Sequence, residues 1–216
     1  MMSTRQAPER PVRVMCADDH HLMRAGIAGM IQGQPDLELV GEAEDGAQAV
    51  ERFRLLRPDV TLMDLQMPVM GGVEAIAAIR EEFPLARIIV LTTFSGDVLA
   101  QRGLKAGAQA YVLKCKVRRE LLDIIRAVHA GRRWISADVA MTIAQHAATQ
   151  PLTEREVQVL ESIAGGNGNK TVADTLSITE GTVKSHVKNI LEKLEARDRT
   201  HAVTLGLRRG IISLAD

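Results

Sequence analysis

The sequence lacks most features that would set it apart from ordinary globular proteins. Aromatic residues make up 2% of its 216 residues, so Val, Leu, Ile, Ala and Met must form the hydrophobic core. No apolar run approaches the roughly 20 residues that span a membrane. Residues 1–11 contain no apolar segment of the secretory-signal kind. These absences predict a cytoplasmic protein without a membrane partner.

The cysteines and the net charge also give little indication of function. Cys16 and Cys115 fit neither a metal-binding spacing nor a disulfide framework, and we interpret them as free thiols. The 27 Lys and Arg residues balance 27 Asp and Glu residues, and residues 151–216 contain nine of each sign. A basic domain, the simplest indication of nucleic-acid binding, is therefore absent. Any prediction of DNA binding must rest on where individual charges lie.

Residues 11–130 alternate between short apolar runs and stretches with helical spacing. The apolar runs cover residues 12–17, 37–41, 60–63, 87–93 and 110–113. In residues 73–83 and 118–130, by contrast, apolar side chains recur on one helical face. Apolar strands that alternate with helices are typical of a parallel sheet covered on both faces. The pattern predicts a doubly wound α/β domain of the flavodoxin-like type with five parallel strands.

The pattern changes after residue 130. We interpret residues 131–150 as a linker, with a connecting helix over 137–147. Four helical patterns follow, over residues 153–164, 169–176, 179–194 and 200–209. Because no strand signal accompanies them, they predict a small all-α domain over residues 151–216.

Acidic residues stand at two of the predicted strand ends. Asp18 and Asp19 follow the first strand, and Asp64 ends the third. Ligands of doubly wound sheets bind at the carboxyl ends of the strands, where the strand order reverses, here between strands one and three. Three carboxylates gathered at that point would repel one another. Mg²⁺ would relieve the repulsion, since it prefers oxygen ligands and takes few of them from the protein.

Thr92 and Lys114 end the fourth and fifth predicted strands. Lys114 would add a compact positive charge suited to phosphate. A carboxylate nucleophile, Mg²⁺ and a lysine are what phosphoryl transfer needs. The neighbouring His20 and His21 are interpreted as surface or helix-start residues, because adjacent side chains point apart, and metal binding is the lesser alternative.

Four segments, CADDH, LMDLQMP, IIVLTT and GAQAYVLK, resemble in order and spacing the motif blocks of two-component receiver domains. The resemblance implies that Asp64 accepts a phosphoryl group from the phosphohistidine of a sensor histidine kinase. It further implies that Asp19, Asp64 and the Gln66 backbone carbonyl ligate Mg²⁺, with Asp18 beside the metal. By the same resemblance, Thr92 and Tyr111 form a switch, and Lys114 pairs with the phosphoryl group. Cys115 stands where such receivers usually have Pro or Asp. The resemblance therefore does not predict the local backbone conformation, including any cis peptide, and redox chemistry at Cys115 is a minor alternative.

Residues 179–194 form an amphipathic helical pattern. Val183, Val187, Ile190, Leu191 and Leu194 fall on one face, and Gly181, Lys184, Ser185 and Lys188 fall on the opposite face. Such a helix can enter a major groove, where lysines reach guanine acceptors or phosphates. A short helical pattern over 169–176 precedes it across a tight connection, which predicts a helix-turn-helix.

The strings LTEREVQVL, GNGNKTVADTLSITEGTVKSHVKNILEKL and RTHAV resemble the LuxR-type helix-turn-helix. The resemblance implies base contacts by Lys184, Ser185 and Lys188, and phosphate or motif-holding roles for Asn169, Lys170, Thr179, Thr182 and His186. For His186 a packing role is an equal alternative, and Glu156 matches the usual structural acid of this domain.

Together the two resemblances indicate a response regulator of the NarL/FixJ type, in which phosphorylation controls DNA binding and transcription. The expected partners are a sensor histidine kinase, double-stranded promoter DNA and a second copy of the phosphorylated chain, with RNA polymerase as a further candidate. A turnover enzyme is not expected. The alternatives are a metal-dependent phosphatase-like enzyme that uses the acidic pocket, and a degenerate receiver that acts without phosphorylation.

Overall fold

The computed structural model describes residues 10–93, 97–145 and 150–212. The chain folds into two compact units. Among the described residues, the first unit comprises residues 10–93 and 101–136, and the second comprises residues 97–100 and 137–212. No helix in these ranges is both long enough and apolar enough to cross a membrane.

The first unit is a parallel sheet that alternates with helices. Its strands are β1 (Val12–Ala17), β2 (Leu37–Ala43), β3 (Val60–Asp64), β4 (Ile88–Thr92), β5 (Ala110–Leu113) and β6 (Trp134–Ile135), in the order β2-β1-β3-β4-β5-β6. The intervening helices are α1 (His21–Gln32), α2 (Gly46–Leu56), α3 (Gly72–Glu82), α4 (Asp97–Lys105), of which residues 101–105 belong to this unit, and α5 (Val117–His129). Every neighbouring pair of strands is parallel. The predicted flavodoxin-like architecture is confirmed.

The sheet has six strands, and the prediction of five was short by one. β6 lies within the stretch predicted to be a linker, and it pairs with Ala110 and Tyr111 of β5. Its two residues are too few to produce a hydrophobic period.

Gly131, at φ 82°, adopts the left-handed conformation after α5 that glycine tolerates best.

The central strands are buried because helices cover both faces of the sheet. Every residue of β3 and β4 is buried, as expected of inner strands in a parallel sheet. One main cluster of buried residues combines the strands with α1 and α5 through Ile27, Ile31, Leu121 and Ile125. This packing fixes the positions of the strand ends that carry the acidic residues.

The second unit is entirely helical among its described residues. It contains α6 (Ala137–Gln145), α7 (Glu154–Ala164), α8 (Asn169–Leu176), α9 (Glu180–Leu194) and α10 (Arg199–Arg208). Thr153, Thr179 and Asp198 cap α7, α9 and α10 by accepting hydrogen bonds from backbone N–H groups. A separate core of aliphatic side chains joins α7 to α10. The predicted small helical domain is confirmed, and α8 coincides with its predicted range.

Candidate functional site

The ends of four strands converge at the carboxyl edge of the sheet. Asp18 follows β1, Asp64 ends β3, Thr92 ends β4 and Lys114 follows β5. Asp18, Asp64 and Thr92 are almost inaccessible to solvent, with exposures of 0%, 3% and 1%. Because all these strands are parallel, their carboxyl ends meet at one edge. We call the cluster of Asp18, Asp19, Asp64 and Lys114 the acidic pocket.

Lys114 joins the two buried carboxylates of the acidic pocket. Its Nζ lies 2.7 Å from Asp18 Oδ2 and 2.7 Å from Asp64 Oδ2. Burial lowers the pKa of Lys114, but its contacts with Asp18 and Asp64 outweigh burial and leave that pKa raised. Burial also raises the pKa of Asp64, against the opposing effect of the Lys114 ammonium. The lysine is thus a fixed positive charge beside a desolvated carboxylate.

The acidic pocket fits a divalent cation. Ligand atoms of Asp18, Asp19, His20 and Asp64 lie within 4.8 Å of one another. Asp18 Oδ2 is buried and lies 2.7 Å from the Lys114 ammonium. Gln66 donates its backbone N–H to Asp64 Oδ1 at 3.3 Å, so its peptide lies next to the pocket. An oxygen-rich set with excess negative charge suits Mg²⁺.

Thr92 and Tyr111 form a second buried pair next to the pocket. Tyr111 lies on β5 with 0% of its surface exposed, and its residue pairs with Val90 of the neighbouring β4. Burial raises the pKa of Tyr111 to about 12, although a side-chain hydrogen bond with Thr92 opposes the rise. The side chains of Thr92 and Tyr111 therefore interact.

Arg24 supports the pocket from α1 and was not predicted. Its buried guanidinium donates to the Asp18 backbone carbonyl at 2.6 Å, to Glu42 Oε2 at 3.2 Å and to Glu44 Oε1 at 2.5 Å. The signal that could have found Arg24 is its spacing, because it lies three and seven residues before the buried Ile27 and Ile31. An arginine on a buried helical face needs acceptors.

Replacing Arg24 with methionine is expected to lower the free energy of unfolding by about 3 kcal/mol. The buried Asp18 carbonyl would lose its donor, and two glutamates would lose their cation. Urea unfolding measures the loss. Arg54→Met is the matched control, because Arg54 pairs with Glu82 at the surface, and its loss is expected to stay below about 1 kcal/mol. Equal losses in both variants would contradict a supporting role for Arg24.

The second unit contains a helix-turn-helix formed by α8 and α9. Ser177, at φ 53°, ends α8 in the left-handed conformation. Thr179 then begins α9, since its Oγ1 accepts a hydrogen bond from the Thr182 backbone N–H at 3.1 Å. The two threonine hydroxyls are also 2.9 Å apart. These threonines therefore help to fix the start of α9.

The outer face of α9 carries the predicted base-contacting residues. Lys184, Ser185 and Lys188 are exposed, while Val183 and Ile190 of the same helix are buried. The Ser185 hydroxyl donates to the Gly181 carbonyl at 3.1 Å. Of the remaining predicted residues, Lys170, Thr179 and Thr182 are exposed, whereas Asn169 and His186 are half-buried.

Glu156 connects α7 to α9. Its carboxylate accepts from the Thr153 backbone N–H at 2.8 Å and lies 2.7 Å from Lys193 Nζ. Burial raises the pKa of Glu156, but the hydrogen bonds from Lys193 and Thr153 outweigh burial and lower that pKa below its usual value. A carboxylate with a lowered pKa stabilises the fold while it is ionised.

The contribution of Glu156 is expected to depend on pH. It should be fully present above the unfolded carboxyl pKa of about 4.3 and be lost as the pH falls through the lower folded value. Amide hydrogen exchange of α7 and α9 in the full chain measures it. Glu156→Gln should cost about 2 kcal/mol near neutral pH and progressively less in acid. Glu161→Gln, at an exposed position of α7, is the control and should cost little.

Two family descriptions match the chain. Residues 14–126 match the "Response regulator receiver domain", and residues 150–205 match "Bacterial regulatory proteins, luxR family". The chain belongs to the response regulators of the NarL/FixJ type.

Relatives of similar length support the assignment of this chain to the response regulators. The transcriptional regulatory protein LiaR of Bacillus subtilis is 39% identical, over 94% of this chain and 100% of LiaR. The response regulator protein VraR of Staphylococcus aureus is 36% identical, over 93% of this chain and 99% of VraR. The structure of the Salmonella typhimurium response regulator RcsB aligns with a TM-score of 0.61 and 25% identity, over 91% of this chain and 98% of RcsB.

Three predictions about single residues of the response regulator can now be compared with the structure. His20 and His21 are both exposed at the start of α1, as predicted, and the His20 ring also contacts the acidic pocket. Cys115 is exposed within a 3₁₀ turn over Lys114–Lys116, and the described residues contain no cis peptide. Cys16 is buried, and burial raises the pKa of its thiol to about 12.

Proposed function

We propose that this response regulator accepts a phosphoryl group on Asp64 from the phosphohistidine of a sensor histidine kinase, and that the acyl phosphate controls DNA binding and transcription. The contacts of Lys114 with Asp18 and Asp64 in the acidic pocket support this proposal. Lys114 Nζ lies 2.7 Å from one oxygen of Asp18 and from one oxygen of Asp64. A phosphoryl group on Asp64 would therefore meet a lysine that is already in place.

The transfer forms a bond between an Asp64 oxygen and phosphorus and breaks the phosphorus–nitrogen bond, whose electron pair returns to the imidazole of the kinase. Lys114 balances negative charge on the transferred oxygens. Asp18, Asp19, Asp64 and the Gln66 backbone carbonyl would hold Mg²⁺, which would supply further charge neutralisation. In this mechanism the protein is a phosphoryl acceptor and not a turnover enzyme.

We propose Thr92 and Tyr111 as the switch that responds to phosphorylation. Their side chains interact, and the contact with Thr92 opposes the rise in the pKa of Tyr111. A Thr92 hydroxyl that turned toward phosphorylated Asp64 would give up its interaction with Tyr111 and change the surroundings of this buried phenol. Rearrangement of Tyr111 would then transmit the change away from the pocket.

We propose that α9 enters the major groove of promoter DNA. Its exposed Lys184, Ser185 and Lys188 would face the bases. Asn169, Lys170, Thr179, Thr182 and His186 would contact phosphates or hold the motif, and for His186 its partial burial favours the second role. The chain is similar to RcsB, a response regulator whose solved structure concerns DNA interaction, and this similarity supports the proposal.

The remaining partners follow from the same function. We propose that the phosphorylated chain forms a homodimer, because paired helix-turn-helix domains read two half-sites with related symmetry. RNA polymerase is a further candidate partner, and the site of action is the cytoplasm. We propose residues 11–130 as the receiver domain, 131–150 as the connection, and 151–216 as the DNA-binding domain.

Acetyl phosphate tests the proposed phosphorylation without the kinase. With Mg²⁺ the wild-type chain should gain one acid-labile phosphoryl group, detected by intact-mass measurement, and a chelator should suppress the gain. Asp64→Asn should gain none, while Asp36→Asn, which removes a surface carboxylate paired with Arg126, should behave as wild type. A wild-type chain that gains no phosphoryl group, or equal gain in Asp64→Asn, would contradict the proposal.

A further inference from the structure

We propose that His20 is a protein ligand of the metal ion in the acidic pocket, and that its imidazole nitrogen makes this site favour Co²⁺ relative to a pocket of oxygen ligands alone. The inference rests on the metal site of the proposed function, to which it adds one residue and a preference among ions. Neither the family match nor the three carboxylates would indicate it, because oxygen ligands alone satisfy Mg²⁺.

The imidazole lies where a neighbouring ligand of one metal ion would lie. His20 Nδ1 is 2.7 Å from Asp19 Oδ1 and 3.2 Å from Asp18 Oδ1. In an octahedral site with metal–ligand bonds of about 2.1 Å, adjacent ligand atoms are about 3.0 Å apart. The two distances fall on either side of that value. One ligand atom from each of these three residues also groups with one from Asp64 within 4.8 Å.

The two oxygens of Asp18 divide the pocket into two sides. Oδ2 faces the Lys114 ammonium at 2.7 Å, and Oδ1 faces His20. An ionised carboxylate has about four lone-pair sites, so Asp18 can contact Lys114 and still offer an oxygen to a cation. Lys114 therefore occupies the side on which the phosphoryl group would arrive, and His20 occupies the other side.

The backbone holds the His20 ring in this position. The His20 backbone N–H donates to Asp18 Oδ1 at 2.9 Å, and its carbonyl accepts from the first turn of α1. Arg24 in turn fixes the Asp18 carbonyl. The His20 side chain is 65% exposed, so an ion can reach Nδ1 from solvent. His21, one residue later, is not part of the cluster of ligand atoms.

A nitrogen ligand changes which ions bind well. Imidazole suits later first-row metals better than it suits Mg²⁺, and affinity generally rises from Mn²⁺ to Co²⁺ at such sites. Removing the imidazole should therefore weaken Co²⁺ binding strongly while leaving Mg²⁺, which keeps its carboxylates, largely unaffected.

Electron spin echo envelope modulation of the Mn²⁺-loaded full chain, without a histidine tag, tests the proposal directly. A directly bound imidazole nitrogen gives ¹⁴N modulation, which should be present in wild type and in His21→Gln and absent in His20→Gln. Calorimetric titration gives the second readout. His20→Gln should lower Co²⁺ affinity by at least about tenfold and change Mg²⁺ affinity by less than about twofold.

The outcomes separate this inference from the proposed function. Mn²⁺ binding without ¹⁴N modulation in wild type, or with modulation retained in His20→Gln, overturns the role of His20 and leaves the carboxylate metal site intact. Equal losses of Co²⁺ and Mg²⁺ affinity in His20→Gln overturn the preference. If wild type binds none of the three ions, the role of His20 falls together with the metal site.

Discussion

Replacing Gly72 with alanine is expected to destabilise the receiver domain by at least about 3 kcal/mol and to reduce phosphoryl acceptance at Asp64. A Cβ atom at Gly72 would lie 1.9 Å from the Asp64 backbone carbonyl oxygen and 2.8 Å from Leu65 Cα. These neighbours are backbone atoms at the end of β3, so they cannot rotate away. The clash would move Asp64, the proposed phosphoryl acceptor.

Gly71→Ala is the matched control for this prediction. Its new Cβ would meet chiefly the Glu74 carboxylate at 2.5 Å, the mobile end of a long side chain. We expect a change below about 1 kcal/mol for this variant. Urea unfolding and intact-mass measurement after acetyl phosphate give stability and phosphorylation in one series. If Gly72→Ala were as stable as Gly71→Ala, the close packing of α3 on β3 would be wrong.

Lys184→Ala and Lys188→Ala are each expected to weaken binding to a specific DNA site by about tenfold or more, since a good base contact contributes about 1–3 kcal/mol. The DNA can be selected from a random pool with the wild-type chain. Fluorescence anisotropy then measures affinity for the selected duplex and for a scrambled one. Lys105→Ala, an exposed lysine of α4, is the control and should bind as wild type.

The comparison with scrambled DNA separates base contacts from phosphate contacts. A lysine that reads a base should affect the selected duplex more than the scrambled one, whereas a phosphate contact should weaken both and lower the salt dependence by about one unit. Unchanged affinity for the selected duplex in both variants would contradict the assignment of α9.

The strand and helix order could be predicted from the sequence because each central strand is buried on both faces. Such strands appear as continuous apolar runs, and the runs predicted β1, β3 and β5 within one residue at either end. β6 was not predicted because an edge strand of two residues is too short to show a hydrophobic period. Its position depends on pairing with β5, which the local sequence does not encode.

The acidic pocket was predictable for a related reason. Once the strand order is known, residues at carboxyl ends must lie together, so Asp18, Asp64 and Lys114 followed from topology. His20 did not follow, because the turn before α1 decides where its ring points. DNA binding was the least predictable property, since the C-terminal domain has equal numbers of acidic and basic residues.

DNA affinity measured before and after phosphorylation tests the central claim most directly. The full chain is titrated against its selected duplex with and without prior treatment by acetyl phosphate and Mg²⁺, in wild type and in Asp64→Asn. Wild type should change its affinity by about tenfold or more, and Asp64→Asn should not change. An equal change in both proteins, or unchanged affinity in wild type that carries phosphate on Asp64, would contradict the account.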